Sequence, residues 1–246
     1  MTIKGHAYRW TKDGLSIIDH LDHVKRSDLV AIDRQIEAAE KNIQALVNGK
    51  PALNMLLWGE RGLGKSTLVK LLLHEYAEKG LVAIEFRNEN VLSLYDLYRD
   101  IRKMKGRYVM IYLDDISFDT GDMLYRMFKS VLEGGLEQVP ENCIFVATSN
   151  KRHMITESAA DSGDLYDRDD ANEKTSLFAR FGLAIGFYPI LKKDYLKIVD
   201  NYMTIFNIQK YAGWEQEAEN YAMDRGGRSG RIAKQFAVHK SIYNYQ

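Results

Sequence analysis

The segment Gly59-Glu60-Arg61-Gly62-Leu63-Gly64-Lys65-Ser66, followed by Thr67, constrains this chain more tightly than any other stretch. Its glycines let the backbone turn inward so that peptide N–H groups face an anion, and a cation and a hydroxyl follow at once. Such a loop works only between a buried strand and a helix whose N-terminus adds a favourable dipole. Both neighbours are present: the apolar run Leu53 to Trp58 precedes it, and a helical pattern over Lys65 to Lys79 follows. The segment Gly59 to Thr67 therefore reads as a cradle for the phosphates of a nucleoside triphosphate. In it Lys65 reaches the β- and γ-phosphates and Ser66 holds Mg²⁺.

The rest of the chain repeats the same alternation. Apolar runs at Leu81 to Phe86, Tyr108 to Leu113, Cys143 to Thr148 and Leu183 to Tyr188 read as further buried strands. Helical patterns lie between them at Leu92 to Lys103, Asp122 to Leu132 and near Ser176, and Asp33 to Val47 forms an amphipathic helix before the first strand. This rhythm predicts an α/β fold with a parallel five-stranded sheet and helices on both faces. After Pro189 the strand signal stops, and Lys192 to Phe206, Trp214 to Met223 and Ser229 to Ile242 predict a small helical lid. The expected division is an N-terminal segment over 1–27, a nucleotide-binding α/β domain over 28–189 and the lid over 190–246. The polar, acidic stretch Thr156 to Thr175 reads as a long surface loop.

Composition removes several function classes. With 246 residues the chain can bury a substantial core. Lys+Arg and Asp+Glu both number 34, so no global field steers it to nucleic acid or to a membrane. The one cysteine, Cys143, sits in an apolar run, which excludes an intramolecular disulfide and a cysteine-based metal site. No signal peptide or membrane-length apolar stretch is legible, so the expectation is a cytoplasmic protein without a membrane partner.

A nucleotide loop needs an acidic partner at the end of a neighbouring strand, and Tyr108 to Leu113 runs directly into Asp114-Asp115. Asp114 is placed to support the metal through water and Asp115 to orient the attacking water. The strand Cys143 to Thr148 leads to Asn150, whose amide can touch both the γ-phosphate and that water.

With loop, acidic strand, Asn-ended strand and terminal helical lid in this order, the chain resembles the AAA+ ATPases. The stretches Leu-Leu-Trp-Gly-Glu-Arg-Gly-Leu-Gly-Lys-Ser, Leu-Asp-Asp-Ile-Ser-Phe, Ala-Thr-Ser-Asn-Lys-Arg-His and Arg228-Ser229-Gly230-Arg231 resemble a bacterial family of predicted AAA+ ATPases whose domain has unknown function. The resemblance runs from about residue 28 to 240. It implies ATP and Mg²⁺ as ligands, ATP hydrolysis, and self-association into an ATP-dependent oligomer. It places Ile32 against the adenine, Arg180 as an arginine finger reaching a neighbour's site, and Arg231 as the lid arginine sensing the γ-phosphate, with Arg228 as runner-up. The chain departs from the commoner pattern at Asp115, where many AAA+ enzymes carry Glu; the shorter acid implies slow turnover. The implied role is to remodel or load a protein or DNA target. The alternatives are a nucleotide switch of the helicase-loader or initiator type and, less favoured, a small-metabolite kinase.

Other features weigh less. Asp19-His20-Leu21-Asp22-His23 offers metal-ligand types but no second segment to complete a shell, and reads as a polar stretch wrapping the sheet. Lys151-Arg152-His153 forms a small basic cluster that reads as a solvated turn.

Overall fold

The computed structural model describes residues 5–116, 137–150 and 181–243. The predicted helix Asp122 to Leu132, the acidic stretch Thr156 to Thr175, the short helical pattern near Ser176, the cluster Lys151-Arg152-His153 and Arg180 lie outside the described residues.

The strands are β1 (Ala7–Thr11), β2 (Gly14–Ile17), β3 (Met55–Gly59), β4 (Leu81–Glu85), β5 (Tyr108–Leu113), β6 (Cys143–Ser149) and β7 (Leu183–Phe187). They form one sheet in the order β2-β1-β4-β5-β6-β3-β7, parallel throughout except for β2. The expected five strands are all present, but among the described residues the sheet has seven. The two additional strands are a hairpin from the N-terminal segment. Its strands are only five and four residues long and lack a continuous apolar run. In β1, Ala7, Tyr8 and Trp10 are buried while Arg9 reaches outward to pair with Glu85 at 2.8 Å. What makes this segment a strand is the free edge of β4, which is a tertiary property.

The period-2 alternation of each central strand feeds two separate cores. Val109, Ile111 and Leu113 of β5 join Phe145 and Ala147 of β6 on the face covered by α3 (Leu94–Lys103). Met110, Ile144 and Val146 face the other way, against α1 (Asp33–Val47) and α2 (Lys65–Tyr76). All seven residues of β6 are buried, as a strand covered on both faces requires. Buried Asn42 on α1 fixes the approach to β3, donating to the Leu53 carbonyl at 2.8 Å and accepting from its N–H at 2.9 Å.

Beyond the sheet, α4 (Lys192–Ile205), α5 (Trp214–Met223) and α6 (Gly230–Tyr243) pack around Tyr195, Val199, Met203, Ala218 and Phe236. This helical cluster has its own core and touches the rest partly through Val30 and Ile190. Among the described residues no helix is long and apolar enough to cross a membrane.

From β3 the chain moves out to β4, returns through β5 and β6, and then places β7 on the other side of β3. The C-terminal ends of β3, β5 and β6 therefore meet mid-sheet, where a parallel α/β sheet forms its ligand crevice.

Candidate functional site

The loop after β3 begins at Gly59, whose φ of +139° suits glycine, and a Cβ there would stand 2.1 Å from the Phe187 carbonyl oxygen. Lys65, the first residue of α2, is only 6% exposed. Its Nζ donates to the Gly59 carbonyl at 2.6 Å, the Glu60 carbonyl at 2.7 Å and Asn150 Oδ1 at 3.0 Å. Each of these acceptors is neutral. Burial lowers the ammonium to a pKa of about 8, against the opposing pull of Asp115 and Asp114 nearby. A buried cation bonded only to neutral acceptors is poised for an anion.

The two acids at the end of β5 have different surroundings. Asp114 Oδ1 accepts hydroxyls from Tyr112 at 2.6 Å, Thr148 at 2.7 Å and Ser66 at 3.0 Å. Burial alone would raise this carboxyl, but the three hydroxyls together hold it below the usual carboxylate range. Asp115 sits at φ +52°, a left-handed conformation that Asp and Asn tolerate better than longer side chains. Its N–H donates to Thr148 Oγ1 at 2.8 Å, so one hydroxyl orients both acids. One carboxylate oxygen of Asp115 accepts from the Asn150 amide, and the other from Arg61 at 3.3 Å.

The lid closes against this loop. Gly230 at the start of α6 donates its N–H to the Gly62 carbonyl at 2.9 Å. Gly62 has φ +78°, and a Cβ there would lie 3.0 Å from Ser229 Oγ and 3.3 Å from Arg231 Cβ, so the approach of lid to loop needs glycine. A cleft of about 1290 Å³ runs between them, with Lys65, Ser66, Asp114, Asn150 and Arg231 among its lining residues. Apolar side chains of Leu29, Ile32, Ile190, Ile198 and Tyr202 also line it. The methyls of Leu29 and Ile32 stand 3.4 and 3.6 Å from where a Cβ on Gly64 would be.

The structure thus gathers residues 61–67, Ile32, Asp114, Asp115, Asn150 and Arg231 on one cleft. Gly59 and Glu60 lie behind it and offer their carbonyls to Lys65. Of the two lid arginines, Arg228 is bound twice by Glu219, at 2.9 and 2.7 Å, whereas Arg231 lines the cleft. Sequence reasoning passes over Tyr112 and Thr148. Tyr112 is findable, since it lies two residues before Asp114 and so on the same strand face. Thr148 depends on the pairing of Leu113 with Ala147, a register that only the folded sheet reveals. Among the described residues no group of three or more His, Cys, Asp or Glu side chains could hold a metal, and the Asp19 to His23 stretch instead packs His23 edge-on against His74 at 4.5 Å.

A glycine-rich loop between strand and helix, an acid-ended strand and an Asn-ended strand beside it, and a helical lid closing on the loop define the P-loop AAA+ fold. The profile of the family described as "Protein of unknown function (DUF815)" matches residues 4–242, and the chain belongs to that family. No curated protein matches it in sequence. Among solved structures it is similar to RuvB of Thermotoga maritima, a Holliday junction branch migration motor, with a TM-score of 0.57 at 12% identity over 85% of this chain and 61% of RuvB. A variant of the same RuvB matches with a TM-score of 0.54 at 14% identity over 87% of this chain and 61% of the other. The chain therefore spans about 61% of the length of these structures. The likeness is one of fold.

Proposed function

We propose that this protein binds ATP and hydrolyses it in an oligomer to remodel or load a macromolecular partner. The observation that carries the reading is the buried, carboxylate-free ammonium of Lys65 beside the Ser66–Asp114 pair, on a cleft that Leu29, Ile32 and Ile190 also line. A polyphosphate supplies the anion that Lys65 faces, and the apolar side chains lining the cleft suit a base, with Ile32 packing on it. Ser66 and Asp114 present oxygen only, the donor set of a hard cation such as Mg²⁺, and they are the residues that would hold it. Bound there, that ion neutralises phosphate charge and polarises the γ-phosphoryl group.

The remaining roles belong to this chain's own side chains. Asp115 accepts a hydrogen bond from the attacking water, Asn150 bridges that acid and Lys65, and Arg231 brings the lid's charge to the γ-phosphate. Arg180 completes the site of a neighbouring copy. The nucleotide-binding part is 28–189 and the lid 190–246, with 1–27 supplying the edge hairpin.

The test is ATPase rate against protein concentration, with mass followed by light scattering in ATP, and with and without single-stranded and duplex DNA. Turnover rising with oligomer mass supports the reading, and a further rise with DNA identifies the target class. ATP binding with negligible turnover under every condition supports instead a nucleotide switch of the helicase-loader or initiator type. One observation favours that second reading: Asp115 is short, and both of its oxygens are already engaged.

The low pKa of Lys65 makes a further prediction. Bound phosphate favours the charged form, so near and above pH 8 the protein takes up a proton as ATP binds. Affinity should weaken as pH rises through about 8, where the free protein loses this charge. Titration calorimetry at about pH 8 in buffers of different ionisation enthalpy would show the uptake as a buffer-dependent heat. Identical heats in all buffers would remove Lys65 from the binding step.

A further inference from the structure

Besides Lys65, the phosphate loop carries a second cation, Arg61, and the geometry gives it a partner that a nucleotide would have to displace. Its Nη2 lies 3.3 Å from Asp115 Oδ2, and the two side chains are 72% and 52% exposed. An ion pair so open to water is weak and readily exchanged. It is also one end of a chain of contacts: Lys65 donates to Asn150, Asn150 donates to Asp115, and Arg61 donates to the other oxygen of Asp115. Arg61 is thus held, and Lys65 is held in part, by groups at the neighbouring strand ends.

We propose that Arg61 exchanges Asp115 for the terminal phosphate of a triphosphate, making it the residue by which the loop distinguishes ATP from ADP. This rests on the ATP-binding reading and deepens it. A guanidinium presents a planar fork of N–H donors that matches a phosphoryl group in two-point geometry, and such a group carries more charge than one carboxylate. Lys65 is buried at the root of the loop and Arg61 is exposed at its rim, so a shorter polyphosphate satisfies the first and leaves the second on Asp115. When Arg61 leaves, Asp115 Oδ2 becomes free to accept a hydrogen bond from water. Presence of the third phosphate and readiness of the acid are then one event.

The experiment measures affinities of the full chain for a non-hydrolysable ATP analogue and for ADP, in wild type, Arg61→Ala, Asp115→Asn and the double variant. Arg61→Ala should weaken the ATP analogue about tenfold, the worth of one charge-assisted hydrogen bond, and shift ADP by less than about twofold. Asp115→Asn removes the competing charge, so it should tighten the analogue by about two- to fivefold when Arg61 is present and leave it unchanged when Arg61 is absent. ADP affinity serves as the control for folding in every variant. Equal weakening of both nucleotides by Arg61→Ala, or an Asp115→Asn effect that is the same in both backgrounds, overturns the exchange while leaving ATP binding intact. A wild-type chain that binds neither nucleotide overturns both readings.

Discussion

Replacing Arg180 with Ala is expected to leave the affinity for ATP unchanged and to reduce turnover at high protein concentration by about 10³-fold or more, the scale of a missing arginine finger. Phe181, the residue after Arg180, lies two residues before Leu183, the first residue of β7, which pairs with Met55 at the start of β3. The phosphate loop leaves the other end, where Gly59 pairs with Phe187. Four strand steps of about 3.3 Å separate these two ends by about 13 Å. The assignment of Arg180 to another copy's site follows from the resemblance to the AAA+ ATPases, and it is the proposal under test here. The measurement is ATPase rate against concentration for wild type and Arg180→Ala, together with a 1:1 mixture of Arg180→Ala with Lys65→Ala. In the mixture, one chain offers an intact loop and the other an intact arginine, so partial recovery of turnover is expected. A rate per chain that is independent of concentration in wild type, and unchanged in Arg180→Ala, would sink the assignment.

The second large effect is expected at Asp115. Asp115→Asn should slow single-turnover hydrolysis by about 10²–10⁴-fold, the range for loss of a positioned proton acceptor, without weakening ATP binding. Asn preserves the side-chain size and tolerates φ +52°, so the N–H bond to Thr148 Oγ1 should persist and the backbone should stay in place. What disappears is the negative charge and the ability to accept a proton. The same conformation accounts for Asp where a longer acid is commoner: a left-handed position penalises Glu more than Asp. Unchanged turnover in Asp115→Asn would move the water-handling role elsewhere.

Much of the fold and part of the site are legible in the amino-acid sequence alone. The loop is readable because its chemistry is local: glycines, Lys65 and Ser66 act within eight consecutive residues. The central strands are readable because burial on both faces forces continuous apolar runs. Arg231 over Arg228 is less accessible, since the difference lies in Glu219, a residue on α5 that ties up one arginine and leaves the other facing the cleft.

The sequence by itself determined that this chain folds as a parallel α/β sheet with a phosphate loop and a helical lid, because strand burial, loop chemistry and helix periodicity are short-range properties. Only the tertiary structure decided that the sheet has seven strands, that Thr148 orders both acids, and that Arg61 rests on Asp115. Each of these depends on which groups from distant parts of the chain come to lie side by side. Register across β5 and β6, and the unpaired edge of β4, arise only when the sheet closes.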